Sequence, residues 1–113
     1  MEVLRIEGLP AGALEATAVF HAEWLGRARD LLAGGSDLAF IFPPADHTHR
    51  AWRLAVVQGF AREFAPLRVN AVASDDEAAI TSALAYLNSA PGLTGQYLPL
   101  DGIGAGDVIP SPQ

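Results

Sequence analysis

The chain has 113 residues, one small domain's worth, and at that size about two thirds of the unfolded surface can be buried around a single core. Half of the residues are hydrophobic, 18% are charged and the net charge is −6, so the composition is globular and lacks the basic face that nucleic acid or an anionic membrane requires. Cysteine and lysine are absent and all seven cationic residues are arginine, which excludes disulfides, thiolate catalysis, Schiff bases and any lysine-dependent phosphate or hydride-transfer site.

No apolar run approaches the ~20 residues of a membrane span and no signal-peptide pattern opens the chain, so a cytoplasmic protein is expected. Residues 2–7, "EVLRIE", alternate apolar and charged positions, as a strand near a sheet edge does. "GLPAG" interrupts the pattern, and a helix follows over 13–33. Leu14, Ala18, Ala22, Leu25 and Leu32 form one stripe on it; Phe20, Trp24, Ala28 and Leu31 form another. Gly34-Gly35 is its stop signal. Gly26 inside it costs roughly 1 kcal/mol relative to alanine, which predicts close packing there.

"DLAFIF" (37–42) is a continuous apolar run, the mark of a strand covered on both faces, and Pro43-Pro44 ends it. A second helix is expected over 48–65, closed by Pro66, with Trp52, Val56, Phe60 and Phe64 in one stripe and Leu54, Val57 and Ala61 in another. "RVNAVA" (68–73) reads as a third strand. "SDDE" (74–77) reads as a capping box, Ser74 taking an amide of the next helix and Glu77 reaching back. That helix packs through Ile80, Leu84 and Leu87. "QYLPLD" (96–101) is a last strand, and residues 103–113 are expected to be a flexible tail after a single domain over 1–102.

The order is β-α-β-α-β-α-β, an α/β fold. Three right-handed crossovers would give one parallel sheet of about four strands in a three-layer αβα sandwich. The first two helices carry more apolar surface than one sheet face covers. A homo-oligomer, dimer or tetramer, is therefore expected through them, with Phe20, Trp24, Trp52, Val56 and Phe60 as interface residues.

"GFAREFAPLRVNAVA" (59–73) resembles the short-chain dehydrogenase/reductase family, whose chains typically read "sLAxELAPxxIRVNAVAPG" there. "LTGQYLPLDG" (93–102) resembles the same family's closing "iTGQvLpvDGG". Together they span about a quarter of the chain at the family's separation. The resemblance implies a Rossmann-like fold corresponding to the C-terminal half of the family's domain, its fourth to seventh strands, without the N-terminal βαβαβ half. The family's catalysis rests on an Asn, a Ser and a Tyr-x-x-x-Lys. Counting back without gaps from Glu63-Phe64-Ala65-Pro66 sets Asp46 at the Tyr position and Arg50 at the Lys position. Pro43-Pro44 stand where the Ser is expected, Glu15 aligns with the Asn, and Ser74 begins where the family has Pro-Gly and a lid loop. An ionised Asp is a poor proton donor and an Arg proton is effectively fixed, so the family's proton transfer is not expected.

The leading expectation is thus a catalytically inactive short-chain dehydrogenase-like protein, an oligomeric binding or regulatory protein partnered by itself or by a full-length relative, with neither NAD nor NADP as cofactor. The alternative is an NAD(P)-dependent oxidoreductase, or a small-ligand-binding module, with altered site chemistry. Its catalytic candidates are Asp46, Arg50, His47 and His49. Its cofactor candidates are Gly8 and Gly12, as a Gly-x-x-x-Gly between strand and helix resembles the family's pyrophosphate cradle. "DHTH" (46–49) is weighed as a metal site and set aside for want of a third ligand. "GIGAG" (102–106) has no helix after it and reads as tail.

Overall fold

Parallel strands need crossovers of a dozen or more residues, and the spacing of the apolar runs supplies them. The computed structural model describes residues 1–100, so the expected tail over 103–113 and "GIGAG" lie outside the described residues. Strand β1 (Glu2–Arg5) leads into helix α1 (Ala13–Glu23) and helix α2 (Leu25–Ala33), followed by strand β2 (Leu38–Phe42). A 3-10 turn at His47–His49 opens helix α3 (Arg50–Glu63), and strand β3 (Val69–Ala73), helix α4 (Glu77–Asn88) and strand β4 (Tyr97–Pro99) complete the described chain. The four strands form one all-parallel sheet in the order β1-β2-β3-β4. β2 and β3 are buried along their whole lengths, which is why they read as unbroken apolar runs, and the charged β1 sits at an edge.

Alternate residues of the central strands divide the core. Phe40 and Phe42 of β2 and Ala71 of β3 pack with Phe20, Val57 and Phe60 from α1 and α3. Ile41 and Val72, pointing the other way, pack with Ile80, Ala83 and Leu87 of α4. The layers are therefore α1, α2 and α3 over one face and α4 over the other. With strands in chain order, crossovers on opposite faces have opposite hand. The three crossovers consequently cannot all be right-handed: the one through α4 reverses the hand of the two before it.

Two further expectations change. The helix expected over 13–33 bends at Trp24 (φ −114°, ψ −25°) into α1 and α2, although Trp24 N still bonds Phe20 O at 2.8 Å and Ala28 N bonds Trp24 O at 3.0 Å. The bend lets Ala16, Phe20, Trp24, Ala28 and Leu32 all face the core, while Leu14 is 83% exposed. Gly26, just past the bend, is exposed, and a Cβ there would meet nothing within 4 Å, so no close packing requires it. The stop signal holds: Gly34 caps α2 and Gly35 turns the chain at φ +93°.

The capping box is also replaced. Asp76, not Ser74, caps α4, accepting from the amides of Ala78 (3.0 Å) and Ala79 (3.4 Å), while Ser74 Oγ accepts from Asp76 N at 3.0 Å. Glu77 turns away to make a two-pronged pair with Arg5 at the end of β1, at 2.8 and 3.0 Å. A charge-assisted fork is stronger than a bond to one amide, so the carboxylate goes there.

The two segments that carry the family resemblance are fastened to each other. Asn70, buried in β3, donates to Leu93 O and accepts from Gln96 N, both at 3.0 Å, and Val69 N donates to Thr94 Oγ1 at 3.0 Å. Arg68 donates to Asp37 and to the carbonyls of Leu87 and Ala90. The "RVN" and "LTGQ" motifs are thus one hydrogen-bonded unit at the amino end of the sheet.

Candidate functional site

Open parallel α/β sheets present loops at the carboxyl ends of their strands, and that is where the candidate residues gather. Their side chains do not converge. Asp46 caps the 3-10 turn, accepting from Thr48 N at 2.9 Å and from the Thr48 hydroxyl. The hydroxyl first and the amide second, with a smaller contribution from the charges of His49 and His47, hold its carboxyl below the usual carboxylate range. It is therefore an even poorer proton donor than the sequence implies. His47 is exposed.

His49 is 5% exposed and tied at both nitrogens. Trp52 Nε1 donates to Nδ1 at 3.1 Å, which assigns the hydrogen to Nε2, and Nε2 donates to Ala11 O at 2.8 Å. The ring thereby clasps "GLPAG" to the start of α3. It is a fastening, and it has no free nitrogen for a proton relay or a metal. Among the described residues no group of three His, Asp or Glu side chains is placed to hold a metal ion.

Gly8 takes φ +75°, a turn conformation suited to glycine. Gly12 stands before α1 with extended geometry, and no side chain caps that helix. The Glu15 carboxylate lies against Gly12, in the space where a Cβ on Gly12 would point. Glu15 is exposed, and its carboxylate in this position would repel a pyrophosphate placed on these amides. Arg50 is exposed, its guanidinium 5.9 Å from the centre of the Tyr97 ring, and it pairs with no acid among the described residues.

Beside Arg50 stands a residue that sequence reading passed over. Arg53 is 1% exposed, the bulkiest of the fully buried side chains. Its Nη1 donates to Pro43 O at 2.8 Å and to the Tyr97 hydroxyl at 3.2 Å, its guanidinium lies 4.5 Å from the Phe42 ring centre, and its Nε is buried without a partner. A signal existed: Arg53, Val57, Phe60 and Phe64 share the spacing of one helical face, so an arginine sits in line with the apolar stripe. Tyr97, which has no lysine anywhere in the chain to pair with, has this arginine instead.

The expected interface residues fall into two groups. Phe20 is inside the core, 5.8 Å from Phe40, 5.9 Å from Phe42 and 5.6 Å from Trp52 between ring centres, and Trp24 is also buried. Phe60 is likewise a core residue, 4% exposed, and only its edge reaches a groove of about 450 Å³ between α3 and α1–α2, which half-buried Trp52 and Val56 line with Thr17, His21 and Leu25 opposite. An Arg29–Glu63 pair crosses its far end.

The scaffold motifs are matched along nearly the whole described chain: the model of the family "SDR-like: Short chain dehydrogenase-like protein" matches residues 4–100. The chain belongs to the short chain dehydrogenase-like family. No curated protein matches it. For this short chain dehydrogenase-like protein, the family's scaffold motifs are present, and the positions expected to align with its tetrad are Glu15, Pro43-Pro44, Asp46 and Arg50.

Proposed function

We propose that this short chain dehydrogenase-like protein is a catalytically inactive member of its family, a pseudoenzyme that works in the cytoplasm as a homo-oligomeric binding or regulatory protein. The observation that carries the reading is the engagement of the side chains at the tetrad positions. Asp46 holds Thr48, and Arg50 lies over a tyrosine ring. His49, the remaining proton carrier of the segment with a buried ring, is bonded at both nitrogens. His49 has no free nitrogen, and an ionised Asp46 and a permanently charged Arg50 are poor proton donors to a substrate.

Association is assigned to the groove where Trp52 and Val56, both half-buried, meet solvent beside the buried ring of Phe60. The partner is a second copy of the chain or a full-length relative presenting the same helices. Light scattering tests the first: a dimer or tetramer is expected for the wild-type chain, and a monomer for Val56→Asp, with its circular dichroism unchanged. A wild-type chain that stays monomeric at high micromolar concentration contradicts the reading.

A further inference from the structure

The proposed function leaves one built polar feature unused. Arg53 is 1% exposed, yet no carboxylate among the described residues pairs with it. The neutral acceptors it does reach, Pro43 O and the Tyr97 hydroxyl, are both taken by Nη1, and its Nε has none. The Phe42 ring beneath it supplies a cation–π contact at 4.5 Å, which offsets part of the desolvation but does not neutralise the charge. One helical turn away, exposed Arg50 lies over the face of the same Tyr97. In a chain of net charge −6 the two cations have no acidic partner among the described residues. They meet just past the carboxyl end of β2, beside Phe42, Pro43 and Tyr97, on the side of the sheet covered by α3, and the carboxyl ends of strands are where α/β sheets hold ligands.

We propose that Arg53, with the Tyr97 hydroxyl and Arg50, forms a binding site for the carboxylate of a small molecule. A carboxylate has the planar, two-oxygen form that a guanidinium fork matches, and it would give Nε the acceptor it lacks. A carboxylate on the Nε side of the guanidinium would take its second bond from Nη2, while the Tyr97 hydroxyl, accepting from Nη1 on the opposite side, holds the guanidinium in place. Arg50, exposed over the ring of the same Tyr97, adds a second positive charge on the solvent side. Phe42 and Trp52, at 4.5 and 5.7 Å from the guanidinium, make the walls apolar and raise the strength of the charge pairing. The site does not depend on the oligomeric reading, and a monomeric protein would still have it.

The test uses the full chain labelled with nitrogen-15, titrated with sodium benzoate, sodium acetate or inorganic phosphate against sodium chloride at constant ionic strength. The Arg53 Nε–H resonance is expected to move saturably with both carboxylates, at millimolar midpoints, and less with phosphate. Benzoate is expected to raise the melting temperature of the wild-type chain. In Arg53→Met that rise is expected to disappear, and in Arg50→Ala the midpoint is expected to weaken by about tenfold. Should Arg53→Met fail to fold, the wild-type resonance and Arg50→Ala decide the matter. An unmoved Arg53 resonance, or a benzoate effect that survives in Arg53→Met, overturns the proposal. Phosphate acting as strongly as the carboxylates overturns the ligand class. Asp101 follows Leu100 in the chain, so Asp101→Asn is tested alongside: a benzoate response found only in that variant assigns the anion to the chain itself and overturns a small-molecule site.

Discussion

Two arginines, one at each end of the sheet, are buried to different degrees and treated in opposite ways. Arg68 precedes β3 at the amino end. Its amide and its Nε donate to Asp37 at 2.8 and 3.1 Å, and its Nη1 donates to Leu87 O and Ala90 O at 3.0 and 2.9 Å. Charge and hydrogen-bond demand are met together, and the side chain fastens β2, β3 and the end of α4 into one unit. Arg53, at the carboxyl end and more deeply buried, has no counter-charge among the described residues and an unpartnered Nε. Burial of a matched guanidinium builds a scaffold; burial of an unmatched one marks a place where something else is to bind. The same division runs through the whole domain: the amino end keeps the family's motifs, and the carboxyl end carries Asp46 and Arg50, on which the proposed loss of the family's chemistry rests.

That contrast can be broken by substitution. Arg68→Ala should be the most damaging change, because it removes the Asp37 carboxylate's counter-charge, leaving it only the residue-68 amide, and leaves the Leu87 and Ala90 carbonyls without this donor. A loss of about 3 kcal/mol is expected in urea unfolding. Asn70→Ala removes the bonds to Leu93 O and Gln96 N and should cost about 2 kcal/mol by the same measurement, with the loosening confined to the 93–96 loop in amide exchange. Arg53→Met, of similar volume and deeper in the fold, should change stability by less than about 1 kcal/mol, or raise it, since it removes an uncompensated charge. A large destabilisation by Arg53→Met would show the two arginines to be alike and end the contrast.

The smallest effect concerns pH. Asp46 has its carboxyl held below the usual range by Thr48, so its stabilisation is fully present above the ordinary carboxylate pKa. It is lost as pH falls through the lowered value. Asp46→Asn should accordingly flatten the acid limb of the melting-temperature profile and leave the limb above neutrality unchanged. The group is exposed, so the change should be slight.

Much of the scaffold was legible in the sequence because it rests on local patterns. The runs "LAFIF" and "VNAVA" could only be strands covered on both faces, and the motifs at 59–73 and 93–102 located the family. What escaped reading depends on contacts between distant segments. Glu77 had a local partner available at the helix start and took Arg5 instead, 72 residues away. The hand of the α4 crossover follows from which face of β2 and β3 needed cover, and periodicity within α4 does not contain that information. Trp24 bends its helix because the core draws the indole in. Arg53 looked like one of several charges on a helix, since only the fold puts Phe42 beneath it and Tyr97 beside it. At the candidate site the engagements escaped reading: His49 looked available until Ala11 and Trp52 were seen to hold it.

The most direct test of a family frame without the family's reaction is titration of the purified chain with NADH and with NADPH, followed by nicotinamide fluorescence. The expected result is no saturable change up to millimolar cofactor, in line with the Glu15 carboxylate lying against Gly12. Saturable binding at micromolar cofactor, with hydride transfer to any carbonyl substrate, would contradict the account.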